Sequence, residues 1–412
     1  SDVCSSDLDL QFLAAFGDHV QLSQFKPDDT ISTLSFSHDG QFLASGDQAG
    51  RVVVFRLNKP KKSNEKPTVD FITQTHAHKS QFDYFRSELS EMKVNSLKWI
   101  PRQTYNPLLL TCNSHDAKLW KFNASPKVNW NSFDVDEQTI DTFVFPNAKR
   151  YDTKYSMECV RTFSDIQTEY IMDLQALPDQ RSFLMVDVSC IKLWDIERDV
   201  NSVCLCKVSQ QEPEITASAI DQYSPSTFVI GDDLGICRKY DMRQQAEDLS
   251  PVFEIDTTLF TSQNQQIDGC ESIGSIVYSP EGNYFAVRRF GDVQVWDSRN
   301  TLQPVNKLDV QWFPGQIDWL INEDYVKDQF KTAFTKGGKV VTGCYSADYI
   351  AWDWKNCKTS RHKAVSSRTP RPPPEPGRDF SKRVTVCESH PTDEIIAVVS
   401  TAALFLFYEP KK

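Results

Sequence analysis

Short runs of alternating apolar and polar residues, each closing on an aromatic, recur seven times along this chain. They are RVVVF (51–55), AKLW (117–120), IKLW (191–194), CRKY (237–240), VQVW (293–296), YIAW (349–352) and LFLF (404–407). The terminal aromatics stand 65, 74, 46, 56, 56 and 55 residues apart. Alternation with a period of two predicts strands. Upstream of the runs lies a second grammar of strand, turn and strand. ISTLSF (31–36) is followed by Ser37-His38-Asp39-Gly40 and then by QFLASGD (41–47). SIGSIVYS (272–279) is followed by Pro280-Glu281-Gly282-Asn283 and YFAVRR (284–289), and VTVCESHP (384–391) by EIIAVVST (394–401). Asp-Gly between alternating segments is a strong hairpin signal. Strands repeating at this interval predict an all-β ring, a seven-bladed propeller. DLQFLAAF (9–16) also alternates and is expected to pair with the last blade, closing the ring and hiding its edges. Helical periodicity is nearly absent.

The spacings exceed the roughly 40–45 residues of a minimal WD repeat, so the excess belongs to loops and added hairpins. Asp follows the aromatic in four copies (Asp195, Asp241, Asp297, Asp353), in keeping with a WD-repeat propeller. Residues 9–412 read as one such domain. The first eight residues, SDVCSSDL, resemble a translated sequencing adapter and are set aside with Cys4. Residues 58–70 (NKPKKSNEKPTVD) are basic and contain proline, which predicts a mobile loop. Residues 71–93 bring Phe82, Tyr84 and Phe85 together beside charges, which suggests a projecting hairpin arm between the first two blades. The other reading packs these aromatics on the propeller's own flank. Residues 363–382 (KAVSSRTPRPPPEPGRDFSK) are Pro-rich and predict a flexible inter-blade loop.

Composition narrows the functional classes. The net charge of −11 argues against general affinity for nucleic acid or anionic membrane and suits a partner with a basic segment. No apolar run approaches the roughly 20 residues of a membrane-spanning helix. The eleven cysteines include no C-x-x-C, and buried reduced thiols are the expectation. Asn123-Ala124-Ser125 matches a glycosylation acceptor, with nothing else pointing to secretion. No phosphate-binding glycine loop, nucleophile elbow or HExxH helix is present. His76 and His78 form H-x-H, which reads as solvated loop because no thiol or acid stands at metal-ligand spacing. Acid pairs at Asp28-Asp29, Asp232-Asp233 and Glu323-Asp324 are expected to cap turns. The expectation is a non-enzyme with no cofactor and no metal.

Five stretches carry a more specific likeness: ISTLSFSHDGQFLASGDQAGRVVVF, FDYFRS (82–87), KWIP (98–101), DMR (241–243) and HPTDEIIAVVST (390–401). With them, residues 9–411 resemble the B-type (WD-repeat) regulatory subunits of protein phosphatase 2A. The resemblance implies a subunit that docks on a HEAT-repeat scaffold subunit and holds phosphoprotein substrates, with basic segments, near the catalytic subunit. Phe82, Asp83 and Tyr84, with Phe85 and Arg86 beside them, match its scaffold-binding arm. Asp187, Asp324 and Asp328, with Glu323 adjacent, match its acidic substrate groove. The chain departs from the pattern at Val188 and Glu169, where an acid and a Tyr are usual, and at Gln48 and Gln329, where lysines are usual. Residues 124–168 match poorly. Val188 removes a charge from the groove, so scaffold docking follows more directly than substrate choice. The alternative is a generic WD-repeat adaptor without phosphatase binding. The cytoplasm, with the nucleus as a second compartment, is the expected location.

Overall fold

The computed structural model describes residues 10–17, 27–60, 65–83, 87–101, 107–129, 149–165, 168–198, 202–207, 213–221, 223–244, 250–261, 270–310, 329–345, 348–364 and 383–410. Seven four-stranded antiparallel sheets make up the ring. Blade 1 runs Ile31–Phe36, Phe42–Asp47, Arg51–Asn58 and Thr68–His76, from axis to rim. Every one of the seven aromatic-ended runs is the third strand of its blade. Blade 7 consists of Val384–Ser389, Ile395–Ser400 and Ala403–Tyr408, and its fourth strand is Gln11–Gly17 from the other end of the chain. The closing ladder runs from Gln11 opposite Tyr408 to Gly17 opposite Ala403. The two ends of the chain are thereby held by backbone hydrogen bonds, and blade 7 has no open outer edge on its third strand.

The third strands alternate yet bury both faces, because each blade is packed between two neighbours. In blade 7, Leu404 and Leu406 face blade 1, packing with Leu34, Leu43 and Phe55. Phe405 and Phe407 face blade 6, against Val341, Tyr349 and Ala351. Each such side chain contributes about 1.5–3 kcal/mol by leaving water. Five inner strands share a bulge near their start, at Ile31/Thr33, Ile171/Asp173, Ile215/Ala217, Ile273/Ser275 and Val384/Val386. A bulge bends its strand and tightens its twist, here at the crowded axis.

Antiparallel order sorts the connections into two ends. Turns between second and third strands share the upper end with the links from one blade to the next. Turns between first and second strands, and between third and fourth, form the lower end.

Two expectations are corrected, and a third falls almost wholly outside the described residues. Residues 58–70 are not all loop: Asn58 pairs with Thr68 and Arg56 with Asp70 in the outer ladder of blade 1. The same strand, Thr68–His76, takes residues 71–76 out of the arm. The Pro-rich insertion starts after a rim strand, Lys358–Lys363, and residues 365–382 lie outside the described residues. The poorly matching 124–168 includes most of one long hairpin, Asp116–Asn129 paired with Lys149–Ser164, the rim of blade 2. Among the described cysteines six are buried, while Cys159, Cys204 and Cys357 are exposed.

Candidate functional site

The upper end gathers most of the residues singled out in the sequence. Between the rim strand of blade 1 and the inner strand of blade 2, Phe82–Asp83 pairs with Glu88–Leu89 in a two-rung ladder. Its base is fastened by the Ser90 N–H donating to the Gln81 carbonyl at 2.8 Å and by Ser90 Oγ accepting from the Gln81 N–H at 3.0 Å. The chain after it is tied down more firmly. Asn113 Nδ2 donates to the Glu91 carbonyl (3.0 Å), Tyr170 Oη donates to Glu91 Oε2 (3.2 Å), and the Val94 N–H reaches the Asp47 carbonyl (3.0 Å). Phe82 and Leu89 remain 48% and 66% exposed. Neither side chain is buried. Tyr84, Phe85 and Arg86 lie outside the described residues.

Asp187 ends the second strand of blade 3 at this end, but its carboxylate is not free. It is buried, and its oxygens accept from the Glu169 N–H at 2.7 Å and the Tyr170 N–H at 3.0 Å. Acids at the same end of other blades, Asp47 and Asp232 closing second strands and Asp292 opening a third, are spent alike. Asp47 accepts from the Arg51 N–H and Nε at 2.9 and 2.6 Å. Asp232 accepts from the Ile236 N–H and Arg238 Nη1, both at 2.7 Å. Asp292 holds Arg289 Nε and Nη2 at 3.0 and 2.8 Å. Glu323, Asp324 and Asp328 lie outside the described residues. All four departures from the family pattern sit at this same end: Gln48 and Val188 in second-to-third turns, Glu169 and Gln329 in blade-to-blade links. The Val188 N–H donates to the Tyr170 carbonyl at 3.1 Å, so that turn is held through backbone whatever its side chain.

His78 is not the solvated loop residue expected of it, whereas His76 is exposed. His78 is buried at the blade 1–2 junction, with Nε2 3.0 Å from Thr111 Oγ1 and Nδ1 3.0 Å from Asp116 Oδ1. Trp120 Nε1 donates to the same Thr111 oxygen at 3.0 Å. The Thr111 hydroxyl accepts from Trp120 and faces His78 Nε2, while His78 Nδ1 lies beside Asp116 Oδ1 in a close contact without hydrogen-bond geometry. Burial pushes the His78 pKa down, opposed by Asp116. Burial alone would raise Asp116, yet His78, Lys118 and His115 hold it below its ordinary value. A residue that looks like half of a metal site is the middle of a structural relay. Among the described residues no group of three His, Cys, Asp or Glu is arranged to hold a metal.

Around the axis the inner strands carry a polar collar. Asp173 of blade 3 accepts from Ser96 Oγ (2.7 Å) on one side and Ser218 Oγ (2.9 Å) on the other. Gln175 Nε2 also donates to Asp173, at 2.7 Å. On the far side, Lys331 Nζ donates to the Gly274 carbonyl at 3.1 Å, and burial lowers its pKa. Glu388 is pushed up to about 7 by burial, with Lys98 acting the other way. Sequence reasoning missed this collar. Isolated Lys, Asp and Glu in strands give no sign that the ring turns them toward one another.

A WD domain, G-beta repeat, matches residues 19–56, which include the first two strands of blade 1 and most of the third. The chain is 27% identical over 418 residues to the B gamma isoform of the 55 kDa regulatory subunit of mouse (Mus musculus) serine/threonine-protein phosphatase 2A, covering 92% of this chain and 93% of that one. The Macaca fascicularis protein of the same name is 26% identical over 440 residues, 96% of this chain and 98% of that one. Fold and repeat define a WD-repeat β-propeller, non-catalytic as its regulatory-subunit relatives are. The likeness to the B-type (WD-repeat) regulatory subunits of protein phosphatase 2A holds over nearly the whole chain.

Proposed function

We propose that this propeller is a regulatory subunit of a protein phosphatase 2A holoenzyme, docking on the scaffold subunit and presenting phosphoproteins to the catalytic subunit. One observation supports it most directly. The exposed Phe82–Leu89 ladder stands at the upper end, in a stretch where the motif FDYFRS matches the family's scaffold-binding arm, on a chain 27% identical to such a regulatory protein. Phe82, Asp83, Tyr84, Phe85 and Arg86 contact the scaffold in this reading. Phosphoproteins with basic segments are held beside the active site by Glu323, Asp324 and Asp328. The gain is proximity, since tethering raises local substrate concentration without new chemistry. Asp187 stiffens the floor of that groove, because its carboxylate already serves the backbone of the adjoining link. The complex acts in the cytoplasm.

Size-exclusion co-elution with the scaffold and catalytic subunits tests the reading. A stoichiometric ternary complex is expected, and its loss in Phe82→Ala/Tyr84→Ala with an unchanged melting profile would tie it to the arm. A folded chain that elutes apart from both subunits overturns it, leaving an adaptor propeller.

A further inference from the structure

Charge is spread unevenly round the ring. The chain carries a net charge of −11, yet blade 6, residues 329–364, holds seven Lys or Arg against two Asp. The excess is concentrated at its rim. The outermost strand, Lys358–Lys363, reads KTSRHK, so three of its six residues are Lys or Arg and none is acidic. The rim strands of blades 1, 2, 4 and 5 each include an acid. Lys358, Arg361 and Lys363 are exposed, as is Lys355 in the turn before them. The strand is the last in its sheet, so its outer edge pairs with no other.

One side of this strand is anchored and the other is open. His362 stacks on Tyr349, with ring centroids 5.2 Å apart and an interplanar angle of 19°. Its Nε2 lies 3.0 Å from Ser360 Oγ, which donates to the Ala351 carbonyl at 3.3 Å. Burial lowers the His362 pKa, so the charge of the strand belongs to its Lys and Arg residues. Side chains alternate along a strand, which puts Thr359, Arg361 and Lys363 on the opposite side. There they stand across the ladder from Trp352, Ile350 and Asp348. Blade 5 covers Trp352 and Ile350, but its own rim strand, Asn306–Asp309, is only four residues long. The other acid of the blade, Asp353, is taken up by its own turn, accepting from the Asn356 N–H (3.2 Å) and Nδ2 (2.8 Å). None of Lys355, Arg361 and Lys363 forms an ion pair with a carboxylate among the described residues.

An open edge presents backbone groups on which another strand can pair. Cations along it repel a second copy of the same edge and favour a strand whose acids stand opposite them. We propose that the rim of blade 6 is a docking edge for an extended acidic segment of a partner protein, which joins the blade as a fifth strand. Arg361 and Lys363 share one side of the strand two residues apart, so the segment carries acids at alternate positions to meet them. Backbone pairing fixes the register and charge makes the choice. The Phe82 ladder belongs to the junction of blades 1 and 2, so this edge is a separate surface and does not depend on scaffold docking.

The test is fluorescence anisotropy on the whole chain, at low salt, with a tetramethylrhodamine-labelled Gly-Val-Glu-Val-Glu-Val-Gly peptide. Saturable binding is expected, weakened about fivefold when both Glu become Gln and by a similar factor in Arg361→Gln/Lys363→Gln. These side chains are exposed, so the variant should keep the parent's melting profile. A peptide of the same composition with its two Glu adjacent should bind several-fold more weakly, because only one acid then faces the Arg361 side. Phe82→Ala should bind as the parent does. Equal affinity for the adjacent-Glu peptide, or for a thymidine oligonucleotide of the same charge, would make the rim a general polyanion surface and overturn the proposal. Indifference to Arg361→Gln/Lys363→Gln, or no saturable binding, overturns it too, leaving the cations as guards of an exposed edge.

Discussion

Carboxylates crowd both ends of this propeller, and they do different work there. At the upper end Asp47, Asp187, Asp232 and Asp292 are buried, each consumed by backbone N–H groups, an arginine or both. At the lower end Glu394 and Glu409 look into an open cavity with repulsion between them. A buried acid that satisfies two donors cannot leave them for a ligand without orphaning both. Glu394 is met by the Gly337 N–H, with Lys339 and Lys336 acting on it, so of the two only Glu409 has no donor among the described residues. Acidity counted along a sequence therefore overstates what a surface can offer, and the difference lies in the hydrogen bonds.

The contrast breaks first at Asp187. Asp187→Ala orphans the N–H groups of Glu169 and Tyr170, each costing about 1–3 kcal/mol. A loss of roughly 2–4 kcal/mol in urea unfolding is expected, with Asp187→Asn losing less because one acceptor oxygen survives. If Asp187→Ala melts like the parent yet binds a basic phosphopeptide poorly, the carboxylate is a docking group and the contrast fails.

The next test concerns Asp116, an upper-end acid spent through a histidine instead of directly. Thr111→Val removes the hydroxyl that joins Trp120 to His78, leaving a buried indole N–H and a buried imidazole nitrogen unsatisfied. The cost should be about 1–3 kcal/mol. The pH dependence has a definite sign. Burial holds the folded His78 pKa below 6.5, so the unfolded chain binds the extra proton first. Stability should fall as pH drops below 6.5 toward the folded value. An unchanged denaturation midpoint in Thr111→Val would show that the relay contributes nothing.

The ring itself was readable from pattern alone, because each blade repeats one signal that tertiary packing reinforces. The seven aromatic-ended runs became seven third strands, and residues 9–16 supplied all but the last residue of the closing strand, Gln11–Gly17. What escaped was whatever depends on contacts between distant segments. His78 looked solvated because Thr111 lies 33 residues away and Asp116 further still. The resemblance puts Asp187 in a groove, and its donors, the Glu169 and Tyr170 N–H groups, are not visible in sequence. Thr68–His76 hid behind a basic, Pro-containing stretch, since rim strands need only a weak apolar pattern.

Glu388 stands apart from both ends, in the axial collar, and sharpens the comparison from a third side. Its folded pKa of about 7 exceeds its ordinary 4.5, so the native state holds the proton more tightly than the unfolded chain. Stability should decline as pH rises from about 4.5 to 7. Glu388 is only half-buried, which limits the effect to on the order of 1–2 kcal/mol. Glu388→Gln should remove that decline and stabilise the fold at about pH 8. A parent and variant with parallel stability–pH curves would mean that the collar is well hydrated.

The smallest effect belongs to the acids that follow the strand-ending aromatics. Asp241 accepts from the Arg243 N–H at 3.0 Å and binds its guanidinium through both oxygens, and Asp297 does the same for Arg299. These are lower-end carboxylates that are spent, but spent in water. The Arg243 side chain and N–H draw the Asp241 pKa down to about 2, yet the pair is screened by solvent on its outer side. Asp241→Ala should therefore cost less than about 1 kcal/mol at neutral pH, far below Asp187→Ala despite a similar number of donors. The stabilisation is present above the ordinary carboxylate pKa and is lost as pH falls through about 2, so parent and variant should converge in acid. Equal losses for Asp241→Ala and Asp187→Ala would show that the number of donors, and not their burial, decides what such an acid is worth.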